Sequence, residues 1–192
     1  METKEIEIVV PARNNGRLKK LLPKLERYKT VVAEKRGKGL AILEAVKVAK
    51  GEFVVTMDSD FQHTEILPEV IKFAQKCSSD ILIGRRVFEN KRPLKRQLAS
   101  TVFKVFVRLL FGKLPDTQSG FKVVRRAVFD NLGDFQNLGF LWDLEFVLKA
   151  KKRGYRIFEY PIPERYSEES KVHVLRDGVE MLLGLVRLRL AT

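Results

Sequence analysis

The chain has a single cysteine, Cys77, in 192 residues. An intramolecular disulfide is therefore impossible, and no cysteine-based metal site can form; this usage fits a reducing compartment. No segment offers the ~18 uncharged apolar residues that a membrane span requires. Residues 1–10 alternate charged and apolar side chains and lack the long apolar stretch of a signal peptide. Internal repeats, low-complexity stretches and flexible linkers are absent too. Acidic residues are comparatively few: 24 Asp and Glu stand against 37 Lys and Arg, a net charge of +13. Such a field concentrates anions, whether nucleic acid, anionic headgroups or phosphate-rich small molecules.

What remains is a chain with 45% apolar and 32% charged residues. That balance suits a soluble body of one domain with a substantial core. Its few acids are not scattered evenly. They gather at Asp58 and Asp60 and along 167–170, and an acidic centre has little use in a nucleic-acid binder. Aromatic residues also fail to interleave the basic ones as a stacking platform would. No nucleic-acid partner is expected.

The first half alternates strand and helix. Residues 5–12 have the pattern of a buried strand, 16–28 of a helix despite Pro23, and 30–34 of a short strand. A helix over 39–50 carries Leu40, Leu43, Val46 and Val48 on its apolar side. A second strong strand follows over 52–58, then a helix over 66–77 and a short strand over 80–83 closed by Gly84. This order predicts an α/β fold with a mainly parallel sheet. Functional loops then belong at the carboxyl ends of the strands, where Asn14, Asp58 and Arg86 fall. The second half predicts an apolar helix over 95–111, a strand over 118–124, a helix over 142–153 and a strand over 156–160. A final helix over 171–190 carries a stripe of Leu175, Val179, Leu182 and Val186.

The sharpest feature is Met57-Asp58-Ser59-Asp60-Phe61-Gln62-His63. A strand ending here would point two carboxylates, two positions apart, to one side. Their mutual repulsion favours a divalent cation between them, and hard oxygen ligands with open positions suit Mg²⁺ or Mn²⁺ gripping a diphosphate. Gln62 either completes that sphere or caps the next helix. The alternative for the whole motif is a polar turn in which Asp60 caps that helix; spacing alone divides the two evenly. His63 is expected to be structural, since hard cations do not favour imidazole.

Asp58-Ser59-Asp60-Phe61-Gln62-His63 resembles the D-x-D-x-Q-H motif of the dolichyl-phosphate mannose and glucose synthases, inverting family 2 glycosyltransferases with the GT-A fold. The similarity covers nearly the whole chain. Val9 to Asn15 is similar to the family's I-P-A-Y-N-E opening, Arg36 to Ala41 to its G-K-G-x-A turn, and Ile83 to Arg86 to G-S-R. Arg96 and Ser100 match an R-x-x-x-S pair, and Asp116 to Lys122 resembles D-T-Q-x-G-F-K. The run Gly154-Tyr155-Arg156-Ile157 to Pro161 and the Arg165 to Lys171 tail also match. The resemblance implies a GT-A (Rossmann-like), mixed, mainly parallel sheet flanked by helices, with amphipathic C-terminal helices. Residues 1–192 would form one glycosyltransferase domain, 1–94 serving the nucleotide-sugar and 95–192 the acceptor.

The same resemblance implies roles. Asp58, Asp60 and Gln62 hold Mg²⁺ or Mn²⁺. Pro11, Ala12, Arg13, Asn15, Lys38, Asp58, Arg165 and Lys171 meet a nucleotide-diphosphate sugar, GDP-mannose or UDP-glucose. Arg86, Arg96 and Ser100 bind the acceptor phosphate of a polyprenyl (dolichyl) lipid, arginine supplying the planar fork that phosphate favours. Asp60, Asp116 and Arg86 form the catalytic group, Asp116 as base or positioning residue. Helices 98–111 and 175–190 would lie at a membrane surface, unless their apolar sides pack onto the core. Many relatives carry transmembrane helices beyond this point, so the expectation is a peripheral protein at the cytoplasmic face or one with a membrane-protein partner.

One departure stands out. The family has a further βα unit before the G-K-G turn, ending in an aspartate that holds the base. Here only 15–35 fill that interval, Glu34 is the stand-in, and Arg13 and Asn15 replace the usual aromatic and acidic residues. The donor base stays open, and so do two alternatives: a saccharide acceptor, and a non-catalytic binding protein of the same fold.

Overall fold

The computed structural model describes residues 6–11, 16–34, 37–90, 93–137, 139, 141–165 and 174–191; within the last helix the side chains of 181–190 are described. One six-stranded sheet has the order β2-β1-β3-β5-β4-β6. Its strands are β1 Ile6–Pro11, β2 Lys29–Ala33, β3 Phe53–Thr56, β4 Ile81–Phe88, β5 Lys122–Arg125 and β6 Ile157–Glu164. β1 pairs in parallel with β2 and with β3, and β4 pairs in parallel with β6. β5 runs antiparallel between β3 and β4. The sheet is thus mixed and mainly parallel, as expected.

Alternating side chains divide the core into two layers. Ile6, Ile8, Val10, Phe53 and Val55 face α1 (Gly16–Leu21) and α3 (Leu67–Lys76). Val9, Val54, Ile81, Ile83 and Val124 face α2 (Lys38–Val48), α5 (Arg126–Leu132) and α6 (Trp142–Lys152). A third cluster joins α4 (Leu94–Phe111) to α7 (Val174–Ala191) through Phe103, Val107, Leu185 and Leu188, with Leu141 and Leu144.

Several boundaries differ from the sequence pattern, each for a local reason. The first helix stops at Leu21 and tightens into a 3-10 turn over Leu22–Leu25, where Pro23 has no N–H to give. β4 does not close at Gly84 but runs on through Arg85 and Arg86 to Phe88, paired with β6 throughout. Gly84 is needed there because a Cβ would sit 2.7 Å from Ile162 Cγ1 and 2.9 Å from Phe121 Cδ1. β6 extends through Pro161 and Pro163, which an edge strand tolerates. The strand expected over 118–124 starts only at Lys122, because a turn over 116–119 precedes it, the Ser119 N–H donating to the Asp116 carbonyl at 3.2 Å; α5 lacked any sequence signal strong enough to register.

Two apolar stripes are also displaced. On α2, Val46 is buried but Val48 is exposed, and Ala41, Ile42 and Ala45 do the packing. On α7, Leu185 and Leu188 are buried while Val186 is 51% exposed. The single prediction that survives of that stripe is Leu182, half-buried against the third cluster; Leu175 and Val179 lie outside the described side chains.

Candidate active site

β3 stops at Thr56, so Asp58 and Asp60 are not strand residues as the i, i+2 argument supposed. They sit in the turn just beyond it, closed by the Phe61 N–H donating to the Asp58 carbonyl at 3.0 Å. The turn still keeps them neighbours. Burial and then the Asp58 charge push the Asp60 carboxyl above its ordinary range, against the opposing pull of Arg17. Asp60 is not a helix cap: the cap positions of the following 3-10 turn (Thr64–Ile66) and of α3 are His63 and Ile66, neither with a side-chain cap.

Each acid has a cation. Arg17 Nη1 lies 3.2 Å from Asp60 Oδ2, and Lys38 Nζ lies 3.0 Å from Asp58 Oδ1. Asp58 is seated on Gly120, where a Cβ would come within 2.0 Å of Oδ2. The Thr56 hydroxyl, donating to the Gly120 carbonyl at 3.1 Å, fixes that approach. Lys38 opens α2 directly after Gly37, whose φ of 101° suits glycine. Its ammonium also reaches Asp143 Oδ2 on α6 at 3.0 Å. Asp143 in turn pairs with Lys122 on β5, a lysine with 0% exposure.

Beside this pair stands a second group. The Arg86 guanidinium donates from Nε to Asp116 Oδ2 at 2.8 Å and from Nη2 to Oδ1 at 2.9 Å. Burial alone would raise Asp116; the Arg86 fork outweighs it and holds the carboxyl below its ordinary range. Asp116 also keeps its own turn, accepting from the Gln118 N–H at 3.3 Å. Glu164, at the end of β6, lies 3.7 Å from Arg86 Nε. Burial pushes its carboxyl up; Arg86 opposes this, and the charges of Asp116, Asp60 and Asp58 add to it. The two groups therefore share one electrostatic site at the carboxyl ends of β3, β4 and β6.

The other expected residues are placed less centrally. Pro11 ends β1 beside Ala33, and Glu34 follows β2 on that same edge, exposed. Gln62 is exposed in the turn past Asp60. Arg96 and Ser100 lie in the opening turns of α4; Lys104, one turn on, is the α4 cation whose charge reaches Asp116. Arg165 Nε is 2.8 Å from Glu89 Oε2. Ala12, Arg13, Asn15 and Lys171 lie outside the described residues. The sequence reading missed Asp143, Lys122 and Glu164. Lys122 carried two signals, as the lysine that closes the Asp116 to Lys122 block and as a lysine in a buried strand.

Among the described residues no three His, Cys, Asp or Glu side chains are grouped to hold a metal ion. Asp58 and Asp60 offer two hard carboxylates whose mutual repulsion is expressed at Asp60. That donor set fits an oxygen-seeking divalent cation that takes further ligands from a diphosphate.

A fold with its acids and arginines at this sheet edge invites comparison with sugar-nucleotide enzymes. A family model described as glycosyl transferase family 2 matches residues 7–133. The chain belongs to this family. It is 31% identical over 161 residues to the glycosyltransferase AglD of Haloferax volcanii, covering 80% of this chain and 26% of that protein. Over 131 residues it is 32% identical to the dolichol-phosphate mannosyltransferase of Pyrococcus furiosus, covering 63% of this chain and 37% of that one. To the dolichyl-phosphate beta-glucosyltransferase of Saccharomyces cerevisiae it is 27% identical over 179 residues, 83% of this chain and 53% of the relative. The chain thus spans about a quarter to a half of these relatives' length. Glucosyl-3-phosphoglycerate synthase from Mycobacterium tuberculosis, in its crystal structure with Mn²⁺, UDP-glucose and phosphoglyceric acid, superposes with a TM-score of 0.71. At 14% identity, with 98% of this chain and 81% of that one covered, the likeness establishes the GT-A-type fold.

Proposed function

We propose that this chain transfers a hexose, glucose or mannose, from a nucleotide-diphosphate sugar to a polyprenyl phosphate, with inversion and with Mg²⁺ or Mn²⁺. The observation that carries the reading is the pair Asp58 and Asp60 standing beside the Arg86–Asp116–Glu164 group. Residues 1–94 would serve the donor and 95–192 the acceptor, with Arg86, Arg165 and Lys171 crossing that division.

Asp58 and Asp60 hold the cation, with Gln62 as a further oxygen ligand; when bound, it offsets charge on the departing diphosphate. Lys38, Arg165 and Lys171 flank that diphosphate. Pro11, Ala12, Arg13 and Asn15 would meet the nucleotide-sugar, with Glu34 as the stand-in for the base-holding aspartate. Arg86, Arg96 and Ser100 receive the acceptor phosphate. One acceptor oxygen forms a bond to the anomeric carbon as the bond from that carbon to the donor diphosphate breaks, and the nucleoside diphosphate leaves.

Asp116 supports this choice of acceptor. A carboxylate held low by a bidentate arginine is a weak base, and a phosphate monoester needs none because its second pKa is ~6. Asp116 therefore orients Arg86. The exposed apolar faces of α4 and α7 would meet the lipid surface; no helix of the described residues is long and apolar enough to cross a membrane. A saccharide acceptor is the second reading, favoured by the raised Glu164 carboxyl, which could take a hydroxyl proton.

The test is an incubation with Mn²⁺, labelled GDP-mannose or UDP-glucose, and a polyprenyl phosphate. Label passing to the organic phase, and lost in Asp60→Ala, is expected. Label passing only to an added saccharide supports the second reading. No transfer from either donor to any acceptor contradicts both.

A further inference from the structure

Behind the acidic pair, four charged groups alternate in sign along one line: Lys122, Asp143, Lys38 and Asp58. Asp143 Oδ1 takes Lys122 and its Oδ2 takes Lys38 at 3.0 Å; Lys38 goes on to Asp58 Oδ1 at 3.0 Å. Lys122 Nζ is also held by the Ser119 carbonyl at 2.5 Å. Asp143 and Lys122 are buried, at 5% and 0% exposure. The cost of burying such charges is met only by full pairing. A buried ion pair is weak evidence for stability, so its place next to the acidic pair calls for another account.

A second contact, of different kind, joins the same two helices. Gly39 follows Lys38 on α2, and Trp142 precedes Asp143 on α6. A Cβ on Gly39 would lie 2.3 Å from Trp142 Cδ1 and 2.4 Å from Cγ. Backbone and indole are thus in direct contact. Consecutive residues of α6 grip consecutive residues of α2, one by packing and one by charge. The start of α2 is set against α6 by both.

We propose that Asp143, seated by Lys122, is a positioning residue that fixes the Lys38 ammonium against Asp58, where it meets the donor diphosphate. The proposal rests on the proposed function for what Lys38 touches, but not for how Lys38 is held. A lysine on a flexible four-carbon stem is a poor point contact unless its head is anchored. Here Asp143 holds the head from α6 while the same head meets Asp58 at the carboxyl end of β3. Lys122 supplies the countercharge that keeps Asp143 ionised; burial opposes this, and Lys122 and Lys38 outweigh it.

The test compares Asp143→Asn, Lys38→Met, the paired Lys122→Met/Asp143→Leu variant, and the triple variant adding Lys38→Met. The pair removes one charge of each sign with little change in volume, and serves if Asp143→Asn does not fold. Two readouts are taken. Acetylation of Lys38 by an N-hydroxysuccinimide ester, followed by peptide mass spectrometry, reports whether the ammonium is held, without any ligand. Calorimetric binding of UDP-glucose and GDP-mannose with Mn²⁺ reports its use. In the pair variant, folded by circular dichroism, Lys38 should be labelled several-fold faster and donor affinity should fall roughly tenfold. The triple variant should bind no worse than Lys38→Met alone, since the anchor acts only through Lys38. Unchanged labelling in the pair variant overturns the proposal, and so do losses that simply multiply. If wild-type protein binds neither donor yet labelling follows Asp143, the proposed function fails and the anchoring stands.

Discussion

Gly120 shows most directly how single atoms set the site. A methyl group there would overlap Asp58 Oδ2 at 2.0 Å, so Gly120→Ala must push the carboxylate off its seat. We predict a fold cost of about 1–3 kcal/mol and loss of Mn²⁺-dependent donor binding, read by calorimetry on protein whose circular dichroism is unchanged. The acids around it titrate in opposite senses. Asp116 has a folded pKa below its unfolded value of about 3.9. Its contribution to stability is therefore full above that value and is lost as pH falls through the lower, folded one. Asp116→Asn should lower Tm at neutral pH, and the difference from wild type should shrink on acidification below about pH 4. Glu164 has the reverse sign: its raised folded pKa means that ionising it costs stability near neutrality. Glu164→Gln should raise Tm at pH 7, with the gain disappearing as the pH drops through the carboxylate range; no gain would remove Glu164 from the shared field. Asp58, Asp60, Arg86 and Asp116 were all legible in the sequence because short motifs name them. Asp143 was not, and Lys122 closes the Asp116 to Lys122 motif without any role being legible from it. Their meaning comes from pairing across 21 positions of chain, which no local pattern encodes.

At the scale of elements, α4 and α7 divide sharply between inward and outward faces. Phe103, Val107, Leu185 and Leu188 are buried between them, whereas Leu109 is 76% and Leu190 83% exposed. Leu185→Ala should cost about 2–5 kcal/mol, seen as a lower midpoint in urea. Leu109→Glu with Leu190→Glu should leave that midpoint nearly unchanged and abolish sedimentation with vesicles containing anionic lipid and polyprenyl phosphate. Wild-type protein that does not sediment with those vesicles contradicts the lipid-surface reading. The periodicity of α4 and α7 foretold two amphipathic helices, but not which side of each was inward. Val186 shares the apolar stripe of the sequence pattern yet is exposed, because α7 meets α4 and Leu141 rather than the sheet; Gly184 allows that approach, with a Cβ there only 2.3 Å from Leu141 Cδ1. β4 and β6 outran their expected ends for a related reason. Eight positions of parallel pairing carry both strands past a glycine and two prolines that normally stop a strand.

For the molecule as a whole, the sheet is what brings the two halves of the sequence to one edge. β5 inserts antiparallel between β3 and β4, which sets Gly120 under Asp58 and carries Lys122 behind it. β6 joins β4 from the far side and delivers Glu164 next to Arg86. The alternation of strand and helix announced an α/β sheet, but the antiparallel insertion could not be read from it, because strand direction depends on connections distant in sequence. The short interval between β1 and α2 still completes a βαβ unit, with β2 at the edge and Glu34 past its end. The central claim is that Asp58 and Asp60 jointly hold a divalent cation on a nucleoside diphosphate. Electron paramagnetic resonance of Mn²⁺ titrated into the protein with UDP or GDP tests it most directly. Bound Mn²⁺ coupled to ³¹P of the nucleotide, and lost in both Asp58→Ala and Asp60→Ala, is the predicted result. Mn²⁺ that stays free with either nucleotide, or that binds equally well without both carboxylates, would contradict it.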